Sequence, residues 1–221
     1  MNFLGHTYVA LASGRDDADY LLGAVLPDLA PMAGVRVARG GLGGALGDGV
    51  RCHLRADDAF HAHAAFRAGS GALRRDVAGR GVASGPARAV GHAGWELLLD
   101  GTLVGTEVER AFERAMAAGE RAARAMSVED GERWATFLGR ARTSPGLRYD
   151  DPGWVAERLH AMLARRPRLR LPAEQVATVA EALRGHVGAV VAQAPAVLRD
   201  TVDHLAAPGA GTEDGGAGTD G

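Results

Sequence analysis

The segment from Gly49 to His63, GVRCHLRADDAFHAH, gathers three histidines and two aspartates into fifteen residues. Imidazole nitrogens and carboxylate oxygens are the donors that divalent cations accept, so a concentration of these types points to metal chemistry. Residues four apart on an α-helix are turned only about 40° from one another, which puts His53, Asp57 and His61 on one slowly winding stripe. His63 falls on its flank. A second segment, HAGWELLLDG, repeats the arrangement with His92 and Glu96 four apart and Asp100 four further on. Either pair alone reads as an ordinary surface hydrogen bond or helix salt link. Together they are two helices offering imidazole and carboxylate to a common space, as facing bundle helices do around a metal. His6 and Asp28 join the set. Asp28 stands in the apolar run LLGAVLPDLAP, where a buried carboxylate must be paired or ligated. His160, His186 and His204 occur singly and read as packed or solvated histidines.

The elements that must position these groups read as helices. Ala, Leu and Arg dominate and aromatic residues make up 5% of the 221, a composition that favours helices over strands. The expected fold is all-α, a single-domain multi-helix bundle over residues 1–206. The spacing predicts helices from Met1 to Ser13 and from an Asp16 or Asp17 cap to about Pro27, which is expected to kink or end the second. The glycine run from Arg39 to Gly49 should break regular structure. A helix from Val50 to about Arg67 should end at Gly69 to Gly71, and another should run from about Ala87 to Val104. Glu107 to Met126 reads as one surface-facing helix, Ser127 as the cap of the next, and Pro145–Gly146 as a turn. Asp151 and Pro152 open a helix to about Arg166, and Pro172 opens the last segment, to Ala206, with a bend at Pro195. Residues 207–221 are glycine-rich and acidic, and read as a disordered tail.

Composition also excludes classes. The 25 basic residues, all arginine, are offset by 27 acidic ones, so the chain lacks the basic footprint of broad nucleic-acid binding. The RRPRLR cluster at Arg165–Arg170 reads as a solvated turn. Cys52 is the only cysteine, which rules out an intrachain disulfide and CxxC-type zinc sites and fits a reducing compartment. The first residues lack the basic leader of a secretory signal, and no stretch reaches bilayer-spanning length. The expectation is a soluble, cytoplasmic protein with no membrane span.

The order of the motifs MNFLGH, GAVLPD, GVRCHLRADDAFHAH and HAGWELLLDG resembles the acyl carrier protein phosphodiesterase family, a helical group related to HD-type metal phosphohydrolases. Met1–His6 reproduces that family's opening segment. Gly23 and Asp28 match its second block with Ala24 in place of Asn, and His53, Asp57 and His63 fall on its third. Leu54 stands where the family has Arg, with Arg51 and Arg55 nearby. His61 stands where an Asp is usual, and His92 and Glu96 occupy its two acidic positions of the fourth block, with Leu97 where a His is expected. The likeness covers about Met1 to Val104 and marks a divergent member. It implies an HD-phosphohydrolase-like fold and hydrolysis of a phosphodiester with a divalent metal, manganese in the first place, with iron or zinc as alternatives. It further implies release of 4'-phosphopantetheine from holo acyl carrier protein as the reaction and acyl carrier protein as the partner. The expected metal ligands are His6, Asp28, His53, Asp57, His61, His92 and Glu96. Arg51 and Arg55 are expected to hold phosphate oxygens, and His63 to protonate the leaving oxygen as the catalytic acid. Two alternatives stand beside this reading. One is a metal-dependent hydrolase of another phosphorylated or lipid substrate, and the other is a non-catalytic helical binding protein on the same scaffold.

Overall fold

The computed structural model describes residues 1–36, 42–124, 126–143 and 146–207, and among them every regular element is a helix. The expected tail, the start of the glycine run and Pro145 lie outside the described residues, apart from Ala207 at the tail's first position. Helix α1 spans Phe3–Ala12 and α2 spans Ala18–Ala33. Asp17 caps α2 by accepting from the Tyr20 amide at 2.9 Å. Pro27 and Pro31 both lie inside α2, so of the two expected outcomes, a kink or an end at Pro27, the end does not occur. An interior proline costs about 3 kcal/mol. Burial of Leu21, Leu22, Val25, Leu26 and Leu29 outweighs it, at roughly 1.5–3 kcal/mol for each such side chain.

Helix α3 spans Gly44–Ala62 and begins inside the glycine run rather than after it. These glycines serve contact between helices. A Cβ on Gly23 would collide with the Leu46 carbonyl, and one on Gly49 with the Tyr20 carbonyl, so α2 and α3 touch backbone to backbone where these two residues meet. The helix expected from Val50 to about Arg67 instead ends at Ala62, and after His63 a new helix, α4 (Ala64–Gly79), runs through Gly69 and Gly71, which were expected to end the first. A side chain at position 69 would strike the indole of Trp95, which is 1% exposed. Glycine at 69 makes room for one of the two buried core tryptophans.

The chain from Ser84 to Gly101 is nearly one helix in three parts: α5 (Ser84–Ala89), a π-helical turn (Val90–Gly94) and α6 (Trp95–Gly101). The segment expected to be one surface helix is two, α7 (Glu107–Ala117) and α8 (Gly119–Ala123), and α7 buries Val108, Ala111, Phe112 and Ala115. Phe112 stacks on Phe3 of α1 with ring centres 5.7 Å apart. Helix α9 (Val128–Thr143) opens with the Asp130 amide donating to Ser127 Oγ at 3.2 Å, as the sequence indicated. Helix α10 (Pro152–Leu163) starts from Asp151, whose carboxylate accepts from the amides of Gly153 and Trp154. The short 3-10 turn at Pro167–Leu169, within the arginine cluster, buries no residue. Helix α11 (Val176–Ala206) lies against α3, α4, α6 and α10 and carries Pro195 in its interior. Among the described residues no helix is long and apolar enough to cross a membrane.

Candidate metal centre

Three helices bring His6, Asp28 and His53 together. Helix α1 supplies His6, α2 supplies Asp28 and α3 supplies His53, and one donor atom from each lies within 4.8 Å of the others. His6 Nε2 is 3.7 Å from Asp28 Oδ2 and 3.8 Å from Asp57 Oδ1, and His53 Nε2 is 3.9 Å from Asp28 Oδ1. These separations exceed a hydrogen bond and fall between the tetrahedral edge, ~3.4 Å, and the trans spacing, ~4.2 Å, of donors about 2.1 Å from one cation. Both ring nitrogens of His6 and Asp28 Oδ2 are buried without a hydrogen-bond partner, a state a folded protein tolerates where a ligand satisfies them. His53 is fixed by its other nitrogen, since Nδ1 donates to the Ala24 carbonyl at 2.8 Å and leaves the Nε2 lone pair facing the cluster. Metal-ligating histidines are typically oriented in this way.

Burial dominates the electrostatics. It lowers the pKa of His6 well below its ordinary value, with the neighbouring His53 adding to the effect, and it lowers that of His53 too. Both rings are therefore held neutral, the form that binds metals. Burial also pushes Asp28 up to about 7. For Asp57 burial acts upward, but the hydrogen bond with His61 and the nearby Met1 amine outweigh it and hold the carboxyl below its usual range.

A second group forms beside the first. His61 Nε2 is 3.0 Å and His92 Nε2 is 3.2 Å from the same oxygen, Glu96 Oε1, while His61 Nδ1 is 3.2 Å from Asp57 Oδ2. Asp57 and then Glu96 raise the pKa of His61 to about 9. Glu96 is lowered, because the Met1 amine, His61 and His92 together outweigh its burial. That amine sits 3.5 Å from Asp57 Oδ1 and 3.4 Å from Glu96 Oε1. The π-helical turn carries His92, and π turns inside helices are frequent at functional sites.

All seven expected ligands thus converge, in two groups rather than one, with Asp57 between them. The other three expected site residues lie elsewhere. His63 caps α4, its Nδ1 accepting from the Ala65 amide at 3.1 Å while Nε2 faces Asp200 at 3.2 Å, so both nitrogens are engaged away from the cluster. Arg51 pairs with Asp48, and Arg55 donates to the Leu205 carbonyl at 2.7 Å. Both arginines line a cavity of about 530 Å³ shared with Tyr20, Cys52 and the end of α11. The reason is helical geometry, since residues two apart on a helix lie about 200° apart, and Arg51 and Arg55 are each two from His53.

One residue gains a role that the stripe argument did not give it. Asp100 is fully buried and accepts from the Leu4 amide at 2.8 Å and the Gly5 amide at 2.9 Å, satisfying the first turn of α1 from another helix. It fixes the helix that carries His6. Its position in the apolar run LLLDG is the signal that could have shown this, the same one that marks Asp28. His160, His186 and His204 stand outside the clusters, His160 donating to the Leu171 carbonyl at 2.8 Å and His186 lying 3.4 Å from Asp76. Comparison with protein-family models, curated proteins and solved structures finds no match to this chain.

Proposed function

We propose that this protein is a metal-dependent hydrolase acting on phosphodiesters, with its first cation held by His6, Asp28, His53 and Asp57. The observation that carries the reading is the set of two buried imidazoles and two half-buried carboxylates at 3.7–3.9 Å, with both nitrogens of His6 and one oxygen of Asp28 lacking a hydrogen-bond partner. Two imidazoles and two carboxylates form a mixed nitrogen and oxygen set suited to manganese, iron or zinc. The chemistry a bound divalent ion supplies is Lewis acidity, which draws charge from a phosphoryl oxygen and makes water a competent nucleophile near neutral pH.

The chain's own residues do the positioning. The Ala24 carbonyl holds the His53 ring, Asp100 holds the first turn of α1 behind His6, and burial keeps both imidazoles in the ligating form. A mostly apolar groove of about 630 Å³, lined by Pro27, Ala30, Pro31, Val35, Val50 and Leu54 and also by Arg36, begins within one helical turn of Asp28 on α2 and of Asp57 on α3. It offers a bed for the less polar arm of a diester, and the phosphopantetheine arm of holo acyl carrier protein is the substrate that the motif resemblance favours.

The displacement of Arg51 and Arg55 from the centre favours a second reading, hydrolysis of a less highly charged substrate by the same cation. The test is turnover of bis(4-nitrophenyl) phosphate and of aryl carboxylic esters after reconstitution with Mn²⁺, Fe²⁺ or Zn²⁺, together with mass spectrometry of holo acyl carrier protein. Phosphodiester turnover that falls at least ~100-fold in a folded His53→Ala variant is the expected result. Ester turnover alone selects the second reading, and failure to retain stoichiometric metal ends both.

A further inference from the structure

We infer that His61, His92 and Glu96 form a second, separate cation site, selective for a transition-metal dication and coupled to the first through Asp57. The donors come from three elements. His61 lies in the last turn of α3, and His92 and Glu96 lie four apart across the junction of the π turn and α6. One donor atom from each falls within 4.8 Å of the other two.

Donors held about 2.1 Å from one ion are about 3.0 Å apart at right angles and about 3.4 Å apart in a tetrahedron. The observed separations from Glu96 Oε1, 3.0 Å to His61 and 3.2 Å to His92, already match those edges. Hydrogen bonding alone describes the group less well. One carboxylate oxygen would accept from both imidazoles and from the Met1 amine at once. A cation replaces that crowding with three ligand bonds.

Two imidazoles and one carboxylate, with the remaining positions open, suit zinc, cobalt or ferrous iron rather than magnesium or calcium, which prefer oxygen. The site is reachable, since the His92 side chain is 52% exposed. Its construction is specific. A Cβ on Gly91 would press on Arg74 and the Ser70 carbonyl of α4, so the π turn seats against α4 only with glycine there, and the His92 ring meets the rings of His61 and Phe66 at 4.9 and 5.2 Å.

Asp57 joins the two sites through its two oxygens. Oδ1 faces His6 of the first centre, while Oδ2 faces His61 Nδ1 and so aims Nε2 at the second. A carboxylate behind a ligating histidine typically changes metal affinity about 10–100-fold. The coupling depends on the first centre being a metal site, but the second site itself does not.

The experiment is metal titration by calorimetry and elemental analysis with Zn²⁺, and visible absorption with Co²⁺, on the native protein and on folded His53→Ala, His92→Ala and Asp57→Asn variants. Native protein is expected to bind two equivalents. His92→Ala should bind one and lose the Co²⁺ bands of the second site, His53→Ala should retain those bands and bind one, and Asp57→Asn should weaken both sites about 10-fold or more. A His92→Ala variant that binds as many equivalents as the native protein overturns the second site. A His53→Ala variant that does so overturns the first, so the two failures are distinct.

Discussion

At the scale of single residues, sequence spacing made the candidate ligands legible but not their grouping. The four-residue repeat of His53, Asp57 and His61 is a property of helical geometry and survives folding. That His61 turns to Glu96 while His53 turns to Asp28 depends on where α6 and α2 lie, which no local pattern encodes. His63 was drawn into the site by proximity along the chain and by the motif resemblance, although its ring is committed to a helix cap. A His63→Ala variant should therefore lose ~1 kcal/mol of stability in urea melts, as cap removals do, and keep the native turnover number. Asp100 offers a second check. Folding raises its pKa from 3.8 to about 7, chiefly by burial, so the stability it contributes is present at low pH and is lost as pH rises through about 7. Asp100→Asn should be destabilised by ~1–3 kcal/mol. The gap from native protein, measured by urea denaturation, should narrow between pH 5.5 and pH 8.

At the scale of elements, helical character and most caps were readable, including Asp17, Ser127 and Asp151 with Pro152. The glycines were misread for one physical reason. A glycine in the sequence signals either a backbone that must bend or a backbone that must be approached closely, and only the neighbouring element decides which. Gly23 and Gly49 are of the second kind, as is Gly69 beneath Trp95. A Gly49→Ala variant should lose ~1–3 kcal/mol by overpacking. It should also bind metal more weakly, because α3 would be pushed off α2 and would carry His53 away from Asp28. Circular dichroism melts and zinc titration on one preparation would record both effects.

At the scale of the whole molecule, the all-helical class followed from composition, but the share of the chain that builds the site did not. Residues before Gly101 supply every proposed ligand, while α11 braces α3, α4 and α6 from behind. A ligand that binds only the folded chain stabilises it by about 2.7 kcal/mol at one hundred times its dissociation constant. Chelation should accordingly lower the melting temperature, and Mn²⁺ or Zn²⁺ should restore it without refolding from denaturant. A calorimetric scan that does not move on chelation would contradict that expectation. The hydrogen bond from His53 to the Ala24 carbonyl reaches further, since it ties the ring of one helix to the backbone of the helix bearing Asp28. Sliding α3 by a single residue along α2 would break the tie and separate His53 from Asp28 in the same movement. On the proposed metal reading, occupancy of the centre and the register of these two helices are one equilibrium, and a bound ion would act as a detent that clicks the pair into a single alignment.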